Sequence, residues 1–454
     1  MAGSIHPAKN SGTLDPTFAD GGVQRLRFPE ISGEAAAAVL ALPDNKLMIA
    51  ILLSGFRAPV AMARLHEDGT LDTEFGGAGA GYVEVALDEA HIEEVFGLSG
   101  LSDGGWLLLG QYQASDLMDG GLFLVRQHRD GSLDKSFGEK GVRLISYLDM
   151  GRPRDTGVKV EADGRDEQRS GAEKSRTAGN AGTPAIQQLD GKIVLVHGVY
   201  TDDGHRGIVL RLNSDGSTDY TFNETGFAIV ELEGIPHDWN SCRGVAVQVD
   251  GKVLVSGMYV QERPESIGAF VTRFDAAGRI DKLFNGGTVT VPLPSLIELV
   301  AITVSPTDGR IVLAGRAYLE RISNGLIVVL SADGFFDFNF NRGQPLFSDL
   351  VPQGLGWYRC ALQADGSILV SGFTGAGFVT AELAAVTARY LPEGVLDPTF
   401  NGSGFTVFRV EEGFADGRDM TLMADGRIVV CGWVWKGADP LPYVIGGWVI
   451  RYLA

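Results

Sequence analysis

The hydrophobic positions of the chain form short apolar runs separated by polar turn residues, and this pattern repeats about every 60 residues. In the fourth unit the runs occupy residues 245–248, 253–256, 270–274 and 288–291. Apolar runs of this length, bounded by glycine, aspartate and asparagine, are typical of β-strands. The pattern therefore predicts an all-β protein built from units of four strands.

An Asp-Gly pair marks the turn between the first two runs in six of the seven units. The clearest copies begin at Asp190, Asp250, Asp365 and Asp425, and the first unit has Asp44-Asn45 instead. Glycine adopts the positive φ angles that tight hairpins require, so Asp-Gly between apolar runs predicts a hairpin.

A second motif, Gly-x-x-Asp-x-x-Phe, occurs seven times. Its aspartates are Asp15, Asp72, Asp134, Asp219, Asp281, Asp337 and Asp397. We expect each aspartate to accept backbone N–H groups within its own turn, and each following phenylalanine to insert between neighbouring units. Residues 213–219 faintly resemble a calcium-binding loop, but the other copies do not keep the acidic spacing. No metal site or cofactor is predicted.

Seven four-stranded units predict a seven-bladed β-propeller with antiparallel blades, forming one domain over residues 1–454. The alternative is a β-solenoid, whose coils are usually shorter, about 20 to 30 residues. The chain ends on the third apolar run of a unit, Ile450 to Ala454, and begins with the motif that should follow it, at Gly12. We therefore expect the N-terminal strand, near residues 23–27, to complete the last blade and close the ring, which removes exposed sheet edges.

In these repeated motifs the chain resembles the delta-60 repeat family of bacterial β-propeller proteins. The resemblance covers nearly the whole chain. It implies a propeller with no assigned activity and no established catalytic residues. Many members of that family look secreted or surface-attached. We expect this chain to depart from them, because its first residues lack the long apolar stretch of a signal peptide.

An arginine recurs at one position of the third run, as Arg64, Arg126, Arg211, Arg273, Arg389 and Arg451, with Leu330 as the exception. We expect these arginines to pair with the repeated aspartates. The alternative is a ring of arginines that binds an anion.

Strand order separates a constant face from a variable face. In a four-stranded meander the Asp-Gly turn and the Gly-x-x-Asp motif share one face, and the connections that differ between units share the other. Recognition usually belongs to variable loops on a constant scaffold. We expect loops of this variable face to bind a ligand through Trp239, Arg243, Trp357, Tyr358, Arg359, Trp433 and Trp435.

Two ligand classes are compatible with these residues. Aromatic rings beside charged groups suit a carbohydrate, because sugar C–H faces pack on rings while hydroxyls form hydrogen bonds, and they also suit a protein or peptide. The rings could instead only plug the loops. The alternative function is a propeller enzyme, a lyase or hydrolase, with acid and base residues in the central channel. We expect a non-catalytic binding protein, because the sequence has no phosphate-binding glycine loop and no nucleophile elbow.

A spacing of 85 residues between Asp134 and Asp219 marks an insertion at residues 149–183. It is polar and charged, and we predict a flexible loop.

The net charge of −19 excludes the basic footprint that a nucleic acid or an anionic membrane surface would require. The chain has no apolar segment long enough to span a membrane. Its three cysteines do not form a disulfide framework. We expect a monomer that is cytoplasmic, or exported without a cleaved signal peptide.

Overall fold

The computed structural model describes residues 10–55, 57–77, 79–115, 119–151, 185–201, 204–262, 265–291, 296–319, 322–375, 379, 382–437 and 442–454. The described residues form seven four-stranded antiparallel sheets. They contain one short 3-10 turn, Asn341–Gly343. None of the described helical structure has the length or apolar character needed to cross a membrane. The predicted insertion at residues 149–183 lies outside the described residues beyond Gly151.

The strands of each blade are given from the innermost to the outermost. Blades 1 to 3 consist of β2 (Ala35–Ala41), β3 (Leu47–Leu52), β4 (Val60–Leu65) and β5 (Tyr82–Val85); β6 (Ala90–Gly100), β7 (Trp106–Ala114), β8 (Gly120–Gln127) and β9 (Val142–Ser146); and β10 (Ala185–Gln187), β11 (Ile193–Thr201), β12 (Gly204–Leu212) and β13 (Phe227–Ile229). Blades 4 and 5 consist of β14 (Trp239–Val247), β15 (Val253–Glu262), β16 (Glu265–Phe274) and β17 (Thr288–Thr290); and β18 (Ile297–Val304), β19 (Ile311–Leu319), β20 (Ile322–Leu330) and β21 (Leu346–Ser348). Blades 6 and 7 consist of β22 (Leu355–Leu362), β23 (Ile368–Thr374), β24 (Ala385–Tyr390) and β25 (Phe405–Phe408); and β26 (Phe414–Leu422), β27 (Ile428–Lys436), β28 (Tyr443–Tyr452) and β1 (Val23–Arg25).

The seven blades close into a ring, as the repeat predicted. The first strands of neighbouring blades contact one another around the channel, and β2 of blade 1 contacts β26 and β27 of blade 7. Strand β1 pairs antiparallel with β28, with Val23 opposite Ile450. The predicted completion of the last blade by the N-terminal strand is confirmed.

The core of the molecule lies between blades. Blades 1 and 2 share one apolar cluster that includes Met62 and Trp106, and blades 5 and 6 share another that includes Val312 and Trp357. Each of the remaining pairs of neighbouring blades shares a similar cluster. Burial of apolar area between blades therefore supplies much of the stability of the ring.

The phenylalanine of each motif is buried against the next blade, as predicted. Phe222 is fully buried in the cluster between blades 3 and 4. A Cβ atom added to Gly278, the motif glycine of blade 4, would lie only 2.9 Å from the Phe222 ring. Gly278 also has a φ of +85°, a conformation that favours glycine. The motif therefore joins each blade to the following one.

The repeated arginine pairs with the repeated aspartate, also as predicted. Arg211 Nε lies 2.6 Å from Asp219 Oδ2, and the Arg211 guanidinium lies 4.7 Å from the centre of the Phe222 ring. The same ion pair forms in the blades that carry Arg64, Arg126, Arg273, Arg389 and Arg451. In each pair the aspartate accepts backbone N–H groups within its turn, as in the bond from Thr221 N to Asp219 Oδ1. These residues stabilise the constant face.

The strands extend further than the apolar runs indicated. In blade 4 the first three strands are Trp239–Val247, Val253–Glu262 and Glu265–Phe274, whereas the runs covered residues 245–248, 253–256 and 270–274. The extra length lies toward the variable face and includes half-buried polar residues. Ladder hydrogen bonds satisfy the backbone there, so the strands continue where the apolar pattern stops.

Candidate ligand-binding site

The first strands of the blades share a β-bulge. In β14 the register shifts between Cys242 and Gly244, which places Arg243 at the bulge. The equivalent bulge residues in the other described first strands that carry it are Ala37, Phe96, Val300, Tyr358 and Arg418. A bulge interrupts the alternation of side chains and redirects one of them. The side chain at this position differs in chemistry from blade to blade, being charged in blades 4 and 7 and uncharged in the others that carry the bulge.

Arg418 connects blades that are not neighbours. Its Nη2 lies 3.7 Å from Glu94 Oε1 on β6, although blade 1 stands between blades 7 and 2. Blade 1 carries only Ala37 at its bulge position, with no charged side chain there. The contact places Arg418 and Glu94 within the channel.

An aromatic group lies beside Arg418. The guanidinium lies 4.2 Å from the centre of the Trp433 ring, and its Nη1 lies 3.6 Å from Asp416 Oδ2. Trp435 donates a hydrogen bond from Nε1 to Asp416 Oδ2 at 3.1 Å, and the two indole rings are 5.7 Å apart. The buried Nε1 of Trp433 has no acceptor among the described residues. We call Arg418, Asp416, Trp433 and Trp435 the indole cluster.

Arg359 lies on the neighbouring part of the channel wall. Its Nε donates to Asp419 Oδ1 at 2.7 Å, and Asp419 Oδ2 accepts a hydrogen bond from the backbone N–H of Val39 in blade 1. Its guanidinium also lies close to Gly97 of blade 2, because a Cβ atom added to that glycine would lie 3.5 Å from Arg359 Nη2. Arg359 therefore also reaches across the channel.

A second charged group lies on blades 4 and 5. Arg316 Nε donates to Glu298 Oε2 at 2.8 Å. Burial raises the pKa of Glu298, but Arg316 and Arg243 outweigh that effect and lower the pKa below its ordinary value. Among the described residues, the buried Arg243 Nε and Arg316 Nη1 have no hydrogen-bond acceptor.

Trp239 begins β14 toward the variable face. Its ring lies 5.9 Å from that of His205 in an edge-on arrangement, and His205 contacts Tyr200 in the same way. Burial lowers the pKa of His205, and Arg243 and Arg206 lower it further, against a hydrogen bond to the Asn240 carbonyl. His205 in blade 3 and Glu298 in blade 5 therefore both lie within the electrostatic influence of Arg243.

The placement of the predicted binding residues in loops is wrong. Trp239 and Arg243 belong to β14, Trp357, Tyr358 and Arg359 to β22, and Trp433 and Trp435 to β27. The first and second strands continue to the variable face, so residues expected in loops between or within blades form part of the strands themselves. Whether these residues bind a ligand stays a prediction.

Two of the predicted residues are buried in packing contacts. Trp357 is 1% exposed, and its indole packs on Gly325 of blade 5, where a Cβ atom would lie 2.3 Å from Nε1. Tyr358 is fully buried, and its hydroxyl lies 3.0 Å from Ser371 Oγ. Both side chains join blades, and the remaining five lie on the channel wall or toward the variable face.

The sequence analysis missed several charged residues of the channel, namely Glu94, Glu298, Arg316, Asp416, Arg418 and Asp419. A signal for Arg418 was present. In five of the six bulged strands the bulge residue precedes the Asp of the Asp-Gly turn, or of Asp44-Asn45, by seven positions, as for Arg418 before Asp425 and Arg243 before Asp250. A charge at a position that is Ala, Phe, Val or Tyr in other blades indicates a channel residue.

The family described as "Domain of unknown function (DUF5122) beta-propeller" matches residues 188–222 and 363–400. Each segment runs from an Asp-Gly turn to a motif phenylalanine, in blades 3 and 6. A comparison with curated protein sequences gave no significant match.

Many solved propeller structures are similar at low identity. One is the Dos1 propeller, with 11% identity, coverage of 97% of each chain and a TM-score of 0.44. Another is a polysaccharide lyase, the PL25 ulvan lyase, with 10% identity, coverage of 94% of this chain and 96% of the other, and a TM-score of 0.46. A gluconolactonase from Xanthomonas campestris has 12% identity, coverage of 81% of this chain and 96% of the other, and a TM-score of 0.33. The chain is thus a seven-bladed repeat propeller, two of whose units match a propeller family of unknown function.

Proposed function

We propose that the protein is a non-catalytic recognition propeller of the delta-60 repeat type, which binds a carbohydrate ligand at the variable-face end of its channel. The observation that carries this proposal is the indole cluster. There the guanidinium of Arg418 lies 4.2 Å from the centre of the Trp433 ring, and the buried Trp433 Nε1 has no acceptor among the described residues. A buried N–H donor without a partner costs free energy that a ligand oxygen can recover.

The chemistry of the cluster suits a sugar. Two indole rings give apolar surface with a polar edge, and the half-buried carboxylate of Glu94 lies in the channel, where it can accept hydrogen bonds from hydroxyl groups. Specific small-ligand sites combine apolar walls with a few placed polar groups in this way. A protein ligand would instead contact the broader variable face.

The carboxylates of the channel support binding more than acid–base catalysis. Glu298 is held next to Arg316, with its pKa lowered, and a general acid must instead retain its proton near neutral pH. This pairing favours a binding protein over the alternative lyase or hydrolase.

The proposal is tested with a glycan array followed by calorimetry on the glycans that bind. Trp433→Ala should weaken binding at least about tenfold, and Trp433→Phe, which keeps a ring but loses Nε1, should have an intermediate effect. Phe338→Ala is the matched control, because Phe338 is an exposed aromatic residue on the constant face. Thermal melting of each variant separates loss of binding from loss of fold.

Three results would contradict the proposal. The first is the absence of any glycan ligand, and the second is a ligand whose affinity is unchanged by Trp433→Ala. The third is cleavage of a bound polysaccharide, seen as new reducing ends, which would support the enzyme instead.

We further propose that the protein is a monomer. The outermost strands are three to five residues long, as in β9 (Val142–Ser146) and β17 (Thr288–Thr290), and short edge strands resist pairing with another chain. Light scattering should give the mass of one 48.4 kDa chain, and a dimer mass would contradict this.

A further inference from the structure

Four arginines lie on the first or second strands around the channel, and they differ in their protein partners. Arg359 pairs with Asp419, Arg316 with Glu298, and Arg418 with Asp416 and Glu94. Arg243 forms no ion pair or hydrogen bond within the described residues, and its buried Nε has no acceptor. Its guanidinium is the exception in a set that is otherwise neutralised.

The surroundings of Arg243 give its position an excess of positive charge. The charge of Arg243 helps to lower the pKa of Glu298, but the Glu298 carboxylate accepts its hydrogen bond from Arg316. Arg316 itself has a buried Nη1 without an acceptor among the described residues. Two guanidinium groups therefore share one carboxylate. Removing a guanidinium from water without an anion costs free energy, so an anion from outside the protein would be favoured there.

We propose that Arg243, with Arg316, forms an anion subsite of the channel that takes the carboxylate or sulfate group of an acidic sugar. This inference rests on the proposed carbohydrate function for the sugar and on the two unpartnered guanidinium donors for the anion. The planar guanidinium group of arginine can donate two parallel hydrogen bonds to one oxyanion, either a planar carboxylate or a tetrahedral sulfate.

The bulge and the neighbouring ring give the subsite its position. Arg243 occupies the bulge of β14, and Trp239 lies four residues earlier on the same strand, toward the variable face. The Trp239 ring is half-buried and contacts His205 on one edge. An acidic sugar that enters from the variable face meets the ring first and the guanidinium further inside. The anion subsite lies on blades 4 and 5, whereas the indole cluster belongs to blade 7.

The test uses glucuronate, glucose 6-sulfate and neutral glucose as probes, measured by calorimetry at low and moderate salt. At least one acidic sugar should bind at least about tenfold more tightly than glucose, and the comparison of the two identifies the preferred group. Arg243→Gln should remove that preference. Arg279→Gln, at an exposed arginine paired with Glu224 on the constant face, is the matched control and should keep it.

A second variant should change the affinity for acidic sugars in the opposite direction. Glu298→Gln removes the carboxylate that competes for Arg316, so it should strengthen acidic-sugar binding at least about threefold. Equal binding of glucose and the acidic sugars, no effect of Arg243→Gln, or weaker binding in Glu298→Gln would each overturn the inference.

Sulfate and acetate without a sugar separate the two proposals. If these ions bind and Arg243→Gln abolishes their binding while no glycan binds, the anion subsite stands and the carbohydrate function fails. If a neutral glycan binds in a Trp433-dependent manner and none of the anions bind, the carbohydrate function stands and the anion subsite fails. A histidine NMR titration adds an independent reading, because an anion beside Arg243 should raise the pKa of His205 toward its ordinary value.

Discussion

Arg310 Nε lies 2.9 Å from Asp337 Oδ2, in the blade whose third strand has Val329 where the other blades have arginine. The sequence pattern pointed to Leu330 as the exception, but the carbonyl of Val329 accepts the Asp337 N–H, as the carbonyl of Arg211 accepts that of Asp219. Arg310 comes from a different place, directly after the Asp308-Gly309 turn. Its Nη2 donates to the Pro392 carbonyl of blade 6 at 2.6 Å, two residues before the motif glycine of that blade. Arg273 makes the equivalent contact from blade 4 to Ala332 in blade 5. One arginine has therefore replaced both contacts of the missing one.

Arg310→Ala should destabilise the protein by about 2–4 kcal/mol, because it leaves the mostly buried Asp337 carboxylate without its cation. Lys252→Ala is the control: Lys252 also contacts a motif aspartate, but Arg273 remains on Asp281 in that blade. We expect Lys252→Ala to cost less than about 1 kcal/mol. Urea denaturation of both variants measures the difference, and equal losses would refute the replacement.

Phe222→Ala should lower the stability by about 3–5 kcal/mol, since it empties a fully buried position between blades 3 and 4. Phe338→Ala removes the same atoms from a side chain that is 78% exposed, and it should leave the melting temperature nearly unchanged. Calorimetric melting compares the two. A Phe222→Ala protein that melts with the wild type would show that the motif phenylalanine does not hold neighbouring blades together.

The motif aspartates should make the propeller sensitive to acid. Burial raises the pKa of Asp397, but hydrogen bonds from Thr399 and the charge of Arg389 outweigh it, and the pKa is lowered. The same net lowering occurs at Asp15, Asp72 and Asp281. A carboxyl whose pKa is lower in the folded state stabilises the fold above its unfolded pKa of about 3.9, and that stability is lost as the pH falls through the folded value.

Urea denaturation as a function of pH measures this effect. The free energy of unfolding should stay level near neutral pH and fall below about pH 4. Asp397→Asn should be less stable at neutral pH and should show a shallower decline in acid. A wild-type protein whose stability is constant down to about pH 3 would contradict the assignment.

The three thiols should be unreactive in the folded protein. Burial raises the pKa of Cys242 and Cys431, and burial raises the pKa of Cys360 to about 12. Only the thiolate reacts with a disulfide reagent. Ellman's reagent should therefore label the native protein slowly and all three cysteines after unfolding in guanidinium. Rapid labelling of one thiol in the native state would place it outside the packed blades.

The fold was predictable because its signals are local. An Asp-Gly turn or a Gly-x-x-Asp-x-x-Phe motif needs only a few consecutive residues, and the ion pair of Arg211 with Asp219 joins positions eight apart. The channel is different. Arg418 and Glu94 are brought together by the closure of the ring, and no spacing along the chain encodes that contact.

The length of the strands explains why predicted loop residues belong to blades. Trp433 and Trp435 follow the apolar run of β27 in sequence, where the pattern indicates a loop, yet the ladder with β28 continues past them. Hydrophobic periodicity reports burial and not backbone pairing. Half-buried residues at the ends of long strands therefore escape it, and several of the proposed binding residues lie at such ends.

The pairing of Val23 with Ile450 has a consequence for how the chain reaches its final state. Six blades can each assemble from neighbouring residues as they leave the ribosome, but the seventh needs partners that are separated by almost the whole polypeptide. Contacts of such high sequence separation slow folding, and the same strand must detach before the ring can open. We therefore expect a protein that matures late and then persists, with a long native lifetime that reflects a kinetic barrier more than a large equilibrium stability.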